Sequence, residues 1–290
     1  MIRWIRIGSV LLCIVSAVLF VLSGMYINRN SDTNGPEIQM DKKEIAVSID
    51  ATEEQLLKGI KAVDKKDGDV TESLLIESMS LFTQPGKRKV TIDAYDSNHN
   101  VTKVERVIRY TDYISPRIIL NHPLRASLNN VNQLMNFVKV EDCLEGDITD
   151  SLQITLKDSD AGISLPGEYE MKLMASNSAG DVVEVPVTVE LYDYSADSGR
   201  AKALLSEYLI YTKVGQEIDP QEYLIGIELR ENQYVWSDLE QNIALPYSKG
   251  QVNIENAVDV YTPGVYEVVY SLKNTSDYTT NIRMIVIVEE

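Results

Sequence analysis

Pro85-Gly86-Lys87-Arg88-Lys89-Val90-Thr91-Ile92-Asp93-Ala94 decides the fold, because its pattern returns at Pro166-Gly167 and again at Pro263-Gly264. Three, five, seven and nine residues past each proline stand Arg88, Val90, Ile92 and Ala94, then Tyr169, Met171, Leu173 and Ala175, then Tyr266, Val268, Tyr270 and Leu272. Successive side chains of an extended chain point to opposite faces. An alternation of this length after a Pro-Gly turn therefore predicts one half-buried β-strand per copy. The copies lie about 80 to 100 residues apart, beyond the roughly 20 to 50 of solenoid repeats, which predicts three separate domains.

The sequence around each strand keeps an order. In the first domain, residues 37–112, Glu44 to Asp50 is strand-like, and Thr52 stands as an N-cap before a short helix ending at Gly59. Then come Val63-Asp64-Lys65-Lys66-Asp67-Gly68-Asp69-Val70-Thr71, the Pro85 strand, a polar turn from Asp96 to Asn100, and a return strand from Val104 to Tyr110. The second domain, residues 113–193, repeats this with Asp142, Glu145-Gly146-Asp147-Ile148-Thr149, the Pro166 strand and a turn from Asn177 to Asp181. Val183 to Leu191 closes it, and Pro186 marks an edge, since proline cannot donate to a ladder. The third domain, residues 194–290, lacks the acidic-Gly-Asp turn but keeps the Pro263 strand, a turn at Asn274 and a strand from Ile282 to Val288.

An acidic-Gly-Asp-hydrophobic-Thr turn, followed by Pro-Gly-x-Tyr before an alternating strand and an Asp or Asn opening a tight turn, resembles the bacterial surface immunoglobulin-like repeat, related in style to hyalin-type repeats. The match is good over residues 37–193 and partial over 209–290. The resemblance implies Greek-key β-sandwiches on bacterial surface proteins, serving as adhesion or spacer modules, and implies no catalysis. Arg88 departs from it, standing where Tyr is usual, and so does the third domain's missing turn.

From Ile7 to Ile27 none of the 21 residues is charged, and Arg3 and Arg6 precede them. As a helix this run spans about 31 Å, matching a hydrocarbon layer of roughly 30 Å, with the arginines on the cytoplasmic side. It predicts a cytoplasmic stub and transmembrane signal-anchor over residues 1–29, a linker over 30–36, and extracellular domains beyond. A cleaved signal peptide is the rival, with Val21 and Ser23 before the cut. The apolar run outlasts the roughly 7 to 15 residues of a signal core, which favours the anchor.

The chain has 44 acidic and 27 basic residues, a formal net charge of -17. Arg3, Arg6 and Arg29 are the only charged side chains before Asp32, so the remainder is more acidic still. This argues against a nucleic-acid partner and against polybasic adhesion to lipid, leaving residues 7–27 as the membrane contact. Cys13 and Cys143 are the only cysteines, one inside the apolar run, so no internal disulfide is expected. His99 and His122 are the only histidines, and no zinc or Ser-His-Asp pattern is supported, so an enzyme is not expected.

Two sets of candidate site residues remain. Asp64, Asp67 and Asp69 with Asp96, and Asp142, Glu145 and Asp147 with Asn177, could offer the oxygens that calcium collects, typically about six to eight. The same residues also make a turn without metal, with Gly at positive φ and Asp accepting local N–H groups. The EF-hand spacing is absent, so the turn is favoured and no cofactor is required. Tyr234 and Trp236, in the longer front half of the third domain, are candidate aromatic contacts for glycan or protein, weighed against packing in the core. The expectation is an all-β chain of three tandem immunoglobulin-like β-sandwich domains after one transmembrane helix. Its expected function is adhesion or envelope assembly at a bacterial cell surface, by binding protein or glycan. A passive stalk is the alternative, and a membrane-tethered hydrolase a more distant one.

Overall fold

The structure, a computed structural model, describes residues 2–30, 33–157, 162–197, 199–238, 247–274 and 278–290. Parts of the expected linker and of the turn after Asn274 lie outside the described residues. Helix α1, Ile2–Asn30, covers the uncharged run. Among the described residues no helix is long and apolar enough to cross a membrane. The expected span is thus met here as a helix alone.

The chain divides into two compact units, Met1–Asp112 and Tyr113–Glu290. After α1, unit one runs through β1 (Glu37–Met40), β2 (Glu44–Val47), α2 (Glu53–Leu57), β3 (Ile60–Asp64), β4 (Gly68–Asp69), β5 (Leu75–Met79), β6 (Lys87–Tyr95) and β7 (Val101–Tyr110). One sheet has the order β1-β3-β4 and the other β2-β7-β6-β5, with β2 parallel to β7 and the remaining pairs antiparallel. Thr52 caps α2 through a reciprocal bond with Gln55, and Gly59, at φ +78°, turns the chain into β3. The alternation of β6 buries Val90, Ile92 and Ala94, as its spacing predicts, with Ile108, Leu56, Ile60 and Ala62 also in the core.

Unit two contains the same seven-strand plan twice. The first set is β8 (Arg117–Leu120), β9 (Arg125–Ser127), β10 (Val138–Asp142), β11 (Gly146–Asp147), β12 (Gln153–Leu156), β13 (Gly167–Ser176) and β14 (Val182–Tyr192). After α3 (Tyr194–Asp197) come β15 (Lys202–Leu205), β16 (Leu209–Lys213), α4 (Pro220–Tyr223), β17 (Leu224–Leu229), β18 (Asn232–Val235), β19 (Val252–Asn256), β20 (Gly264–Lys273) and β21 (Thr279–Glu289). Three-stranded sheets β11-β10-β8 and β15-β17-β18 accompany four-stranded sheets β12-β13-β14-β9 and β16-β21-β20-β19, again with one parallel pair in each larger sheet. Pro186 lies where β14 pairs only with β13, because β9 joins at Glu190–Tyr192. Residues 113–193 and 194–290 share one continuous hydrophobic core. Ile285 is buried although it lies between the inward-facing Met284 and Val286 of β21, so the outer face of that strand is covered too.

Candidate functional site

The acidic turns are hydrogen-bonded clamps. In unit one the Asp64 carboxylate accepts from the N–H groups of Lys66 at 2.7 Å and Asp67 at 2.8 Å. Gly68 sits at φ +81°, Asp69 accepts from the Thr71 N–H at 3.0 Å, and the Thr71 hydroxyl accepts from the Ala62 N–H at 3.2 Å. Asp67 reaches the β6–β7 turn, where the N–H and hydroxyl of Ser97 donate to it at 2.8 and 3.0 Å. Unit two repeats five of these six bonds: Leu144 and Glu145 N–H to Asp142, Thr149 N–H to Asp147, Val140 N–H to the Thr149 hydroxyl, and Ser178 N–H to Glu145. Donors to the charged form hold three carboxyls below their usual range: the Ser97 N–H acts at Asp67, and the threonine hydroxyls act at Asp69 and Asp147.

Asp64, Asp67 and Asp96 bring carboxylate oxygens within 4.8 Å of one another, the group among the described residues that a cation could bridge. Asp69 stands outside it. Asp96 is held by the N–H groups of Asn98 and Asn100 and by the Asn100 amide. Burial raises its carboxyl, and these donors with Lys66 outweigh the burial and lower it. In unit two Asn177 takes the place of Asp96, so Asp142, Glu145 and Asp147 form no such group. Its Nδ2 donates to Asp142 at 3.0 Å and to the Tyr113 hydroxyl at 2.9 Å, and that hydroxyl donates to Asp181 at 2.7 Å. Burial, then the Asp181 carboxylate, raises the Tyr113 phenol.

The Pro-Gly-x-Tyr motif has its own closure. The Tyr169 and Tyr266 hydroxyls donate to the carbonyls of Leu165 and Thr262, each the residue before its proline. In unit one Arg88 takes this role differently, with its guanidinium over the Phe82 and Tyr110 rings and a bond to the Tyr110 hydroxyl at 2.6 Å.

Within unit two, residues of the two sandwiches meet through polar contacts that no local sequence pattern marks. The Tyr211 hydroxyl accepts from the N–H of Ile118 on edge strand β8 at 2.8 Å and donates to its carbonyl at 3.2 Å. Arg117 lies over the Tyr211 ring and donates to Glu289 at 2.8 Å. Deeper in, Arg125 of β9 donates to Glu190 at 2.7 Å and to Asp197 of α3 at 3.1 Å, and Lys202 of β15 pairs with Asp197 at 3.1 Å. Arg125 and Asp197 are 8% and 2% exposed, so each needs the other. Burial works against both charges. Glu190 and Asp197 nonetheless raise the Arg125 pKa, and Arg125 and Lys202 hold the Asp197 carboxyl low. Beside this network lies a cavity of about 250 Å³.

Tyr234 and Trp236 do not line that cavity. Tyr234 is half-buried on β18, and Trp236 is half-buried and packed against the core. Cys13 and Cys143 are both unbridged; the Cys143 thiol donates to the Ile114 carbonyl at 3.1 Å. Sequence reasoning missed Arg125 and Asp197, and also Arg106, which is fully buried on β7. The signal for Arg106 was its inward phase between Val104 and Ile108; Asp197 carried none.

No family model matches the chain. It is 23% identical over 218 residues to the pesticidal crystal protein Cry22Aa of Bacillus thuringiensis, covering 73% of this chain and 27% of that protein. The chain thus spans about a quarter of the length of that relative. Among solved structures, the CBM51-2 and INT domains of Clostridium perfringens ZmpB align over 51% of this chain and 26% of theirs, at 18% identity and a TM-score of 0.22. Drosophila N-cadherin EC1-3 aligns over 90% of each chain at 13% identity and a TM-score of 0.24. The chain is a repeat of β-sandwich modules. Its own paired three- and four-stranded sheets show this.

Proposed function

We propose that this β-sandwich repeat is a membrane-anchored, outward-facing protein that acts in adhesion or envelope assembly by binding protein or glycan. The observation that carries it is one seven-strand module built three times after a helix whose 21 uncharged residues follow Arg3 and Arg6. The order suits display of binding modules away from a membrane, with the arginines on the cytoplasmic side. The ion-paired contacts in unit two also favour the stalk role, since they tie residues 113–193 to residues 194–290.

A cysteine placed at Tyr261, an exposed residue of unit two, tests orientation. A membrane-impermeant thiol reagent should label Tyr261→Cys on intact cells beyond the background set by Cys143; labelling only after lysis sinks outward display. Capture of a specific envelope component by the full chain in neutral detergent separates binding from spacing. Recovery of nothing specific leaves the stalk.

A further inference from the structure

The cavity in unit two has a paired floor and an open rim. Arg125, Asp197 and Lys202 satisfy one another on the floor. Among the described residues Glu228 pairs with Lys202 at 3.6 Å, beyond hydrogen-bond distance, and Glu231 accepts the Tyr194 hydroxyl at 3.3 Å. Two carboxylates therefore keep most of their acceptor capacity. Aromatic faces stand with them: Tyr194 is 56% exposed, and Phe137 stacks on His122 at 4.9 Å. Arg230 and Glu231 hold φ +50° and +64°, a left-handed pair disfavoured for residues with a Cβ. The turn thus holds a carboxylate at the rim where Asn-Gly would relax the backbone.

We propose that this cavity binds a basic group, a guanidinium or primary ammonium on an apolar stem, presented by a protein partner and held between the Glu228 and Glu231 carboxylates and the Tyr194 and Phe137 rings. Carboxylates bond such groups with charge assistance, and aromatic faces attract them while packing the stem. Lys202 does not repel the ligand fully, because Asp197 neutralises it at 3.1 Å. A neutral sugar needs donors as well as acceptors, and the donors of Arg125 and Lys202 are committed to Glu190 and Asp197. At about 250 Å³ the cavity suits one side chain, being smaller than the roughly 300 to 1,000 Å³ of drug-sized pockets. The chain's net charge of -17 would also draw a basic partner. The nature of the partner rests on the binding role proposed above; the cavity's chemistry does not.

The test is calorimetric titration of the full chain in neutral detergent with N-acetyl-arginine amide, N-acetyl-lysine amide and N-acetylglucosamine. The basic probes should bind and weaken at least tenfold in the Glu228→Gln, Glu231→Gln double variant, whose melting midpoint should match the parent. Should that variant melt early, Tyr194→Ala at the rim takes its place, with weakening again expected. Absence of binding by both basic probes, equal binding by the variant, or preference for the sugar overturns the proposal. Envelope capture by the parent that the variant retains also overturns the cavity's role while leaving the binding role standing. Probe binding that depends on the cavity, without any envelope capture, upholds the cavity and removes the adhesion role.

Discussion

Unit one and unit two fill one strand position in opposite ways. Arg106 pairs across from Val90, as Val187 does from Met171 and Met284 from Val268, and all three are buried. Arg106 donates to the carbonyls of Lys42, Leu56 and Lys58 and to the Asp41 carboxylate, so it ties down the end of α2. In unit two a pair of 3-10 turns within Leu128–Phe137, kinked at Asn130, buries Leu134 at the corresponding place in the chain order. After β16 the Pro220 carbonyl of α4 accepts instead from buried Tyr270. A sandwich corner can thus be closed by a charge or by apolar packing, provided the freed carbonyls find a donor.

The largest test of that contrast is Arg106→Ala. It should cost unit one about 3–5 kcal/mol by leaving buried carbonyls and a void, while amide exchange in unit two stays unchanged. Hydrogen-exchange mass spectrometry reads the two units separately, and equal deprotection of both would break the comparison.

Asp197→Asn tests the buried charges of unit two and should cost about 2–4 kcal/mol there, because Arg125 loses half of its neutralisation. The folded Asp197 carboxyl lies below its unfolded value of about 3.9. Its contribution is therefore fully present above roughly pH 4 and lost as pH falls through the lowered folded value. The variant should accordingly show a shallower loss of stability in acid.

Asn177→Asp would give unit two the carboxylate pair of unit one. With Asp142 already at 3.0 Å, it should destabilise by about 1–3 kcal/mol at neutral pH. The like charge raises the new carboxyl, so the penalty should shrink as pH falls; a pH-independent loss would point to packing. Smallest are Tyr169→Phe and Tyr266→Phe, each removing one hydroxyl-to-carbonyl bond at about 0.5–1.5 kcal/mol, read as a shift in denaturant midpoint.

Much of the fold was legible. The period-two pattern after each Pro-Gly fixed β6, β13 and β20 and their inward residues, because a half-buried strand writes its environment into every second position. The acidic-Gly-Asp turns were equally readable, since Asp64 and Asp142 act on neighbours two and three residues away. Arg88 was visible as a departure, though not its seat between Phe82 and Tyr110.

By itself, then, the sequence determined the module, its three copies, its turns and the helix before them, all set by interactions among near neighbours or by strand alternation. Only the tertiary structure decided that Arg106 is buried and satisfied, that Tyr211 caps the edge of β8, and that Asp197 sits between Arg125 and Lys202. The contacts of Arg106 with Leu56, Tyr211 with Ile118 and Arg125 with Asp197 join residues 50, 93 and 72 positions apart. No local periodicity records such a pairing, and a charge in sequence looks the same whether its partner is water or a buried carboxylate.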